Sequence, residues 1–321
     1  MKWTRRKFLL CSSWVAGGAA AAGGLTWAAC SKRWAARMLR ERWREAFRPI
    51  APPPVSPDPR AWSPHRVTVC WLGHATVLIN FYGLHVLTDP SLGRRIGVDL
   101  RFGTLGPKRY VAPALRFDQL PPIDVLLLSH AHMDHLDLPT LRRFQTPPFT
   151  VTAAATRDLL AGTPLARAVE LRWGEHTRWR HPLGELRIEA CEVKHWGARW
   201  GRDTHRGYNG YLLEREGRKL LIAGDTAYTP RLGALRPRGP FDIAVMPIAA
   251  YRPWIRNHCT PEEAFDMADQ AGARYLVPVH HQTFQLSDEP MHEPIERLQQ
   301  AMAGEPERLA LCRIGETFSL A

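Results

Sequence analysis

The run Asp124-Val125-Leu126-Leu127-Leu128-Ser129 leads without a break into His130-Ala131-His132-Met133-Asp134-His135. Successive large aliphatic residues leave no polar face for solvent, so the run reads as a strand covered on both sides, as in layered α/β proteins. At its end stand four groups able to ligate a metal. His130 and His132, two apart in extended chain, project the same way, while Asp134 and His135 come from the turn beyond. Hiding that many polar groups beside a buried strand is costly without a strong partner, and a cation suits all four.

The pattern recurs. Leu220-Leu221-Ile222-Ala223-Gly224 brings Asp225 past a close-turning glycine, Tyr275 to Val279 runs into His280, and Ala190-Cys191-Glu192-Val193-Lys194 runs into His195. Such a His-rich set with one or two carboxylates suits borderline-soft zinc, and a carboxylate can bridge two ions. Short apolar runs between Gly, Pro and Asp turns predict strands at Val67–Leu72, Ala75–Ile79, His85–Thr88, Asp124–Ser129, Leu186–Val193, Gly210–Glu214, Lys219–Ala223, Ile243–Pro247, Tyr275–Val279 and Arg308–Cys312. Helices are predicted at Leu138–Phe144, Thr156–Leu160, Pro261–Ala271 and Pro290–Gly304, the third opened by a Thr260/Glu263 capping box with Pro261 at its first position.

Composition agrees with a folded protein of one large or two moderate domains: 321 residues, 45% hydrophobic and 23% charged. The net charge of +12 suggests a nucleic-acid groove only until it is divided, because residues 1 to 48 hold +9 of it. The basic arm points to a membrane surface, and no nucleic-acid partner is expected. The six cysteines at 11, 30, 70, 191, 259 and 312 show no CxxC spacing, so no disulfide framework is expected; Cys70, Cys191 and Cys312 lie in runs that read as buried strands.

Residues 1 to 30 read as a targeting segment or membrane anchor. Thr4-Arg5-Arg6-Lys7-Phe8-Leu9-Leu10 resembles the twin-arginine export signal of bacteria. The twin-arginine machinery is then an expected partner, and the periplasmic side of the cell envelope the expected location. Trp27-Ala28-Ala29-Cys30 resembles a degenerate lipobox, which leaves cleavage, lipidation at Cys30 and an uncleaved anchor open, as is a spanning helix over Phe8–Ala29. Residues 31 to 64 are expected to hold a basic amphipathic helix, over 32 to 48, suited to a lipid surface or to packing on the domain. A Pro-rich linker or wrap follows at Pro49–Pro59, and the hydrolase domain is expected over 65 to 321.

With its HxHxDH motif at 130 to 135, the chain resembles the metallo-beta-lactamase fold superfamily. More narrowly it resembles the N-acyl-phosphatidylethanolamine-hydrolysing phospholipase D family and its bacterial relatives. That likeness is carried by Trp71-Leu72-Gly73-His74-Ala75-Thr76, Leu87-Thr88-Asp89-Pro90, Ser129 to Asp137, Lys194-His195-Trp196, Ala223-Gly224-Asp225-Thr226, Pro247 to Tyr251, His258 to Ala264, and His280 to Phe284 leading to Glu289-Pro290. The resemblance implies an α/β fold of the metallo-beta-lactamase type, an αββα four-layer sandwich with metals at one edge of two mixed sheets. It implies two divalent ions, zinc first. His130, His132 and His195 would hold one, Asp134, His135 and His280 the other, with Asp225 bridging and Asp89 orienting a ligand. Ala131 and Met133 stand where relatives often carry Asn and Tyr, and His281-Gln282 where Trp-Gly is usual, which changes the neighbourhood of the substrate rather than the ligands.

Two closely spaced cations lower the pKa of bound water from about 15.7 towards roughly 7, giving a nucleophile for in-line attack on phosphorus. The resemblance implies a phosphodiesterase of phospholipase D type, cutting an N-acyl-phosphatidylethanolamine-like phospholipid to phosphatidic acid and an N-acylethanolamine at a membrane surface. Asp134 is expected to help orient the nucleophile, and His258 to contact a substrate phosphate or assist the leaving group. His74 is open between an orienting and a structural role. Tyr251, Trp254 and Ile255, near Arg252 and Arg256, are expected at the entrance, with Trp196, Trp200, His205 and Tyr208 on another wall. Two other functions remain open: a lactonase or other carboxylic ester or amide hydrolase, and an envelope binding protein that keeps the metal site.

Overall fold

A computed structural model of the chain describes Glu45 and residues 47 to 320. The expected targeting segment, Cys30 and most of the expected amphipathic helix lie outside the described residues. No helix among the described residues is long and apolar enough to cross a membrane.

The apolar runs become strands in chain order: β1 (Val67–Gly73), β2 (Thr76–Phe81), β3 (Leu84–Thr88), a small hairpin of β4 (Val98–Asp99) and β5 (Thr104–Leu105), then β6 (Val125–Leu128). After helix α1 (Leu138–Leu141) come β7 (Phe149–Ala153), β8 (Val169–Leu171), β9 (His176–His181), β10 (Gly184–Cys191), β11 (Gly210–Arg215) and β12 (Arg218–Ile222). The chain closes with α2 (Pro230–Gly233), β13 (Phe241–Pro247), α3 (Pro261–Gln270), β14 (Ala273–Val279), α4 (Glu293–Ala301) and β15 (Thr317–Ser319).

Two mixed sheets result, ordered β15-β1-β2-β3-β6-β7-β8 and β14-β13-β12-β11-β10-β9. Strands β3, β6, β7 and β8 run parallel, as do β12, β13 and β14, and two antiparallel steps through β11 align β10 with β12. The carboxyl ends of all these strands therefore meet along one edge, where ligands bind in open α/β sheets.

One apolar core lies between the sheets, with Leu78, Leu126 and Val151 from the first and Ile188, Leu213 and Val277 from the second. A second core sits on the outer face of the second sheet, where Ala264 and Met267 of α3 and Ile295 and Leu298 of α4 meet Leu221, Ala244 and Met246. With these helices outside, the architecture is the sandwich of mixed sheets that the family resemblance implied. Helix α3 starts as expected: the Thr260 hydroxyl accepts from the Glu263 N–H, the Glu263 carboxylate accepts from the Thr260 N–H at 2.9 Å, and Pro261 fills the first position.

The Pro-rich stretch is a wrap. Ala51 N–H donates to the Tyr110 carbonyl at 2.9 Å and Val55 N–H to the Ile314 carbonyl at 3.3 Å. Gly315, at φ +93°, passes so close beneath it that a Cβ would stand 1.9 Å from the Val55 oxygen.

One strand expectation fails. Arg308–Cys312 forms a 3-10 turn at Pro306–Arg308 and an isolated bridge between Leu276 and Leu309. The Arg308 guanidinium donates to the Ala273 and Arg274 carbonyls, so a side chain occupies the border of β14 where a strand was expected. Cys312 is accordingly half-buried outside any strand, whereas Cys70 and Cys191 are buried in β1 and β10; with Cys259, all four are free thiols.

Candidate metal centre

Each expected ligand stands just beyond the carboxyl end of a strand: His130 to His135 after β6, His195 after β10, Asp225 after β12 and His280 after β14. They converge in two groups. His130, His132, His195 and Asp225 form one; Asp134, His135 and His280, joined by His74, form the other, and in each all donor atoms lie within 4.8 Å of one another. Asp225 Oδ2 faces both groups, 3.2 Å from His135 Nε2, 3.3 Å from His280 Nε2 and 3.7 Å from His195 Nε2. A third grouping places His258 with Asp225 and His280.

The donor set fits a pair of cations. His135 Nε2, His280 Nε2 and Asp225 Oδ1 are buried and hydrogen-bonded to nothing among the described residues. The two imidazole nitrogens come within hydrogen-bond distance of Asp225 without aiming an N–H at it. Groups that crowd a common point rather than pair with one another leave their lone pairs free for a metal.

The tautomers are set from behind. Asp89 Oδ1 accepts from the Ser129 N–H at 2.7 Å, and Oδ2 accepts both the Ser129 hydroxyl at 2.6 Å and His135 Nδ1 at 2.8 Å. Having given its proton to Asp89, the Ser129 oxygen can only accept from His130 Nδ1, 2.8 Å away. One carboxylate thus leaves the Nε2 lone pairs of His130 and His135, one in each group, free for a cation that the group would hold. His195 Nδ1 donates to the Asn257 carbonyl at 2.8 Å with the same effect. His132 differs: its Nδ1 is the converging atom, 2.8 Å from His130 Nε2 and 3.2 Å from His195 Nε2.

Gly224, at φ +61°, is what lets Asp225 enter. A Cβ there would stand 2.8 Å from the Asn209 carbonyl and 2.9 Å from Ser129 Cβ. Gly224→Ala is expected to cost about 1–3 kcal/mol and to weaken metal binding by displacing Ser129 and Asp225 together. Denaturation with a parallel chelator titration checks both, and wild-type values in both would contradict the argument.

Electrostatics divide the imidazoles. Burial, then His195, pushes His132 down to about 3, and burial, then His280, pushes His74 down to about 4. Burial opposes charge on His280 too, but Asp225 and Asp134 outweigh it and raise that imidazole to about 9. In the metal-free protein the depressed pair favours the unfolded state as pH falls below their ordinary 6.5. The stabilisation from protonated His280, full below 6.5, is lost as pH rises through 9. Chemical denaturation of metal-free protein is therefore expected to show greatest stability near neutral pH. Added divalent metal should remove the alkaline decline, because ligation needs the deprotonated imidazole. A profile rising steadily through pH 9 without metal would contradict this.

Around the ligands, the Trp196 ring lies 4.6 Å from that of His132, and Tyr208 approaches His195 edge-on at 6.3 Å. Trp200, His205 and Ile255 are exposed. Tyr251 departs from the expected entrance: it is buried, donates its hydroxyl to Glu293 at 2.7 Å and packs under the Arg297 guanidinium. His281 is buried in a stack on Trp71 at 4.3 Å. His74, open between two roles from its sequence alone, places Nε2 2.9 Å from Asp134 Oδ2, and Ser129, Asn257 and Arg199 join the site without a signal of their own in the sequence. The Arg199 guanidinium holds the carbonyls of Ala131 and Leu136 at 2.8 and 2.9 Å and so braces the ligand loop.

Two His and Asp clusters at the edge of a two-sheet sandwich define a binuclear metal-dependent hydrolase. The sequence profile described as "Beta-lactamase superfamily domain" matches residues 85–281, and the chain belongs to that superfamily. It is 34% identical over 279 residues, 83% of this chain and 72% of the relative, to an uncharacterised protein of Mycobacterium tuberculosis. It is 29% identical to N-acyl-phosphatidylethanolamine-hydrolyzing phospholipase D 1 of Caenorhabditis elegans over 249 residues, 72% of this chain and 68% of that one. Among solved structures, isothiocyanate hydrolase from Delia radicum gut bacteria superimposes with a TM-score of 0.62 at 18% identity, covering 79% of this chain and 100% of that one, a likeness of fold.

Proposed function

We propose that the protein is a zinc-dependent phosphodiesterase of phospholipase D type, acting on N-acyl-phosphatidylethanolamine-like lipids at the bacterial cell envelope. The observation that carries this reading is a surplus imidazole. Once seven ligands are assigned, His258 remains over the centre, its Nδ1 3.9 Å from Asp225 Oδ2 and its ring 5.1 and 5.3 Å from those of His195 and His280. Burial, with His195 and His280 against the pull of Asp225, keeps it well below its ordinary value and therefore neutral. A neutral imidazole there suits donation of one hydrogen bond to an anionic phosphoryl oxygen. The C. elegans relative's name supplies the substrate class.

In this reading His130, His132 and His195 would hold one ion and Asp134, His135 and His280 the other, with Asp225 shared by both. Divalent ions held there supply Lewis-acid polarisation of a phosphoryl oxygen and a lowered pKa for water. His74 holds Asp134 Oδ2, leaving Oδ1 to accept a hydrogen bond from the attacking water and fix its direction. Water adds to phosphorus, the bond to the ethanolamine oxygen breaks, and that oxygen leaves with a proton. The products are phosphatidic acid and an N-acylethanolamine.

Metal-loaded protein incubated with an envelope lipid extract is expected to generate phosphatidic acid, followed by mass spectrometry. His258→Ala should slow this roughly 10²-fold while keeping wild-type metal content, as expected for loss of one donor to a transition-state oxygen. Unchanged phosphodiesters with metal-loaded wild type, beside loss of a lactone or ester, would replace this reading with carboxylic ester hydrolysis. Loss of metal in His258→Ala would make His258 a ligand instead. Metal analysis of protein purified without chelators tests zinc.

A further inference from the structure

The large apolar side chains left exposed by the fold are not scattered. Among those described beyond Ala51, only Leu183, in the turn between β9 and β10, stands at the far edge of the sheets; the rest follow strand ends at the metal edge. The most exposed belong to the β4–β5 hairpin, where Phe102 is 91% and Leu105 60% accessible beside Leu100. That hairpin is a braced projection. Arg95 Nη1 donates to the Gly106 carbonyl at 2.7 Å across its neck, and Asp99 pairs with Arg142, just past α1 in the segment that follows the His130–His135 motif. Trp200, 59% accessible, adjoins the Arg199 brace, and Ile255 lies two residues before Asn257, whose carbonyl fixes His195.

Charge on these segments is one-sided. Arg94, Arg101, Arg202 and Arg256 are exposed, and among the described residues their guanidinium groups make no hydrogen bond or ion pair. The acids nearest them in the chain pair with other guanidinium groups, Asp99 with that of Arg142 while its Oδ1 accepts only the Arg101 backbone N–H, and Asp203 with that of Arg206. Apolar tips interleaved with free arginines match a bilayer interface, where side chains such as Phe and Leu enter the acyl boundary and guanidinium groups take lipid phosphates.

We propose that the metal edge is a docking face for a bilayer carrying anionic headgroups, with the β4–β5 hairpin as the element that enters the membrane. Docking this way brings the metal centre against the lipid surface. The turnover arm of the test rests on the lipid substrate proposed above; the binding arm does not.

The test uses the full chain with vesicles of phosphatidylethanolamine and phosphatidylglycerol, or of phosphatidylcholine alone, and reads hydrogen–deuterium exchange peptide by peptide. Anionic vesicles are expected to slow exchange over 96–106, 197–202 and 251–257, and phosphatidylcholine vesicles much less. In a Leu100→Ser/Phe102→Ser variant the hairpin protection should vanish. With N-acyl-phosphatidylethanolamine included in the anionic vesicles, its hydrolysis should fall roughly tenfold in this variant, while a small soluble phosphodiester is cut at the wild-type rate. Vesicle binding with no change in exchange over 96–106, as through the basic N-terminal arm alone, would overturn the proposal. So would unaltered vesicle turnover in the double variant. If no lipid is hydrolysed at all, exchange still decides the docking, so the two readings fail separately.

Discussion

Asp225→Ala is expected to lower turnover by roughly 10³-fold or more and to leave fewer than two ions bound per chain. Asp225 Oδ2 is a carboxylate oxygen shared by both ligand groups, approaching His135, His280, His195 and His130 at 3.2, 3.3, 3.7 and 4.0 Å. Without it the first group is three neutral imidazoles, and the second keeps Asp134 alone as its anion. Two positive ions held side by side need negative charge between them, which no other described residue supplies at that point. The loss therefore removes both a ligand and the screen between the ions. Metal-to-protein ratio by mass spectrometry, beside phosphodiester turnover, measures both effects. Two ions retained at wild-type affinity would show that Asp225 does not bridge.

The candidate ligands were legible in the sequence for a definite reason. A buried strand that stops at a polar residue has nowhere inexpensive to put it, so His130, His195, Asp225 and His280 announce themselves by what precedes them. Strand β9 announced nothing: His176 to His181 is largely polar and Arg-rich, pairs on one side only, and is a strand because β10 offers it an edge. Strand β15 pairs with β1 across most of the chain, a contact no local pattern encodes. The supporting shell was hidden for another reason. Asn257 acts through its backbone carbonyl and Arg199 through two carbonyls of the ligand loop, and residue type does not reveal either. Tyr251 was misplaced because the partners that bury it, Glu293 and Arg297, arrive on α4.

Asp89→Asn should weaken metal binding by roughly 10–100-fold at both positions, although Asp89 is expected to touch neither ion. In the wild-type chain every hydrogen bond to Asp89 arrives from a donor: the Ser129 N–H, the Ser129 hydroxyl and His135 Nδ1. An asparagine must present an NH₂ on one side. Facing Ser129 N–H it sets donor against donor; turned the other way it meets the Ser129 hydroxyl and His135 Nδ1. The second placement can be satisfied only if both reverse roles. Ser129 would then donate to His130 Nδ1, and His135 Nδ1 would accept, which moves the proton of each imidazole to Nε2 and closes the lone pair that faces the metal. The volume is unchanged and the site is buried, so the fold should survive with a loss of about 1–3 kcal/mol. Nitrogen NMR of labelled histidines reads the tautomers directly, and competition with a chelator reads affinity. Unaltered His130 and His135 tautomers together with wild-type affinity would mean that the ligand geometry, not Asp89, sets which nitrogen meets the metal.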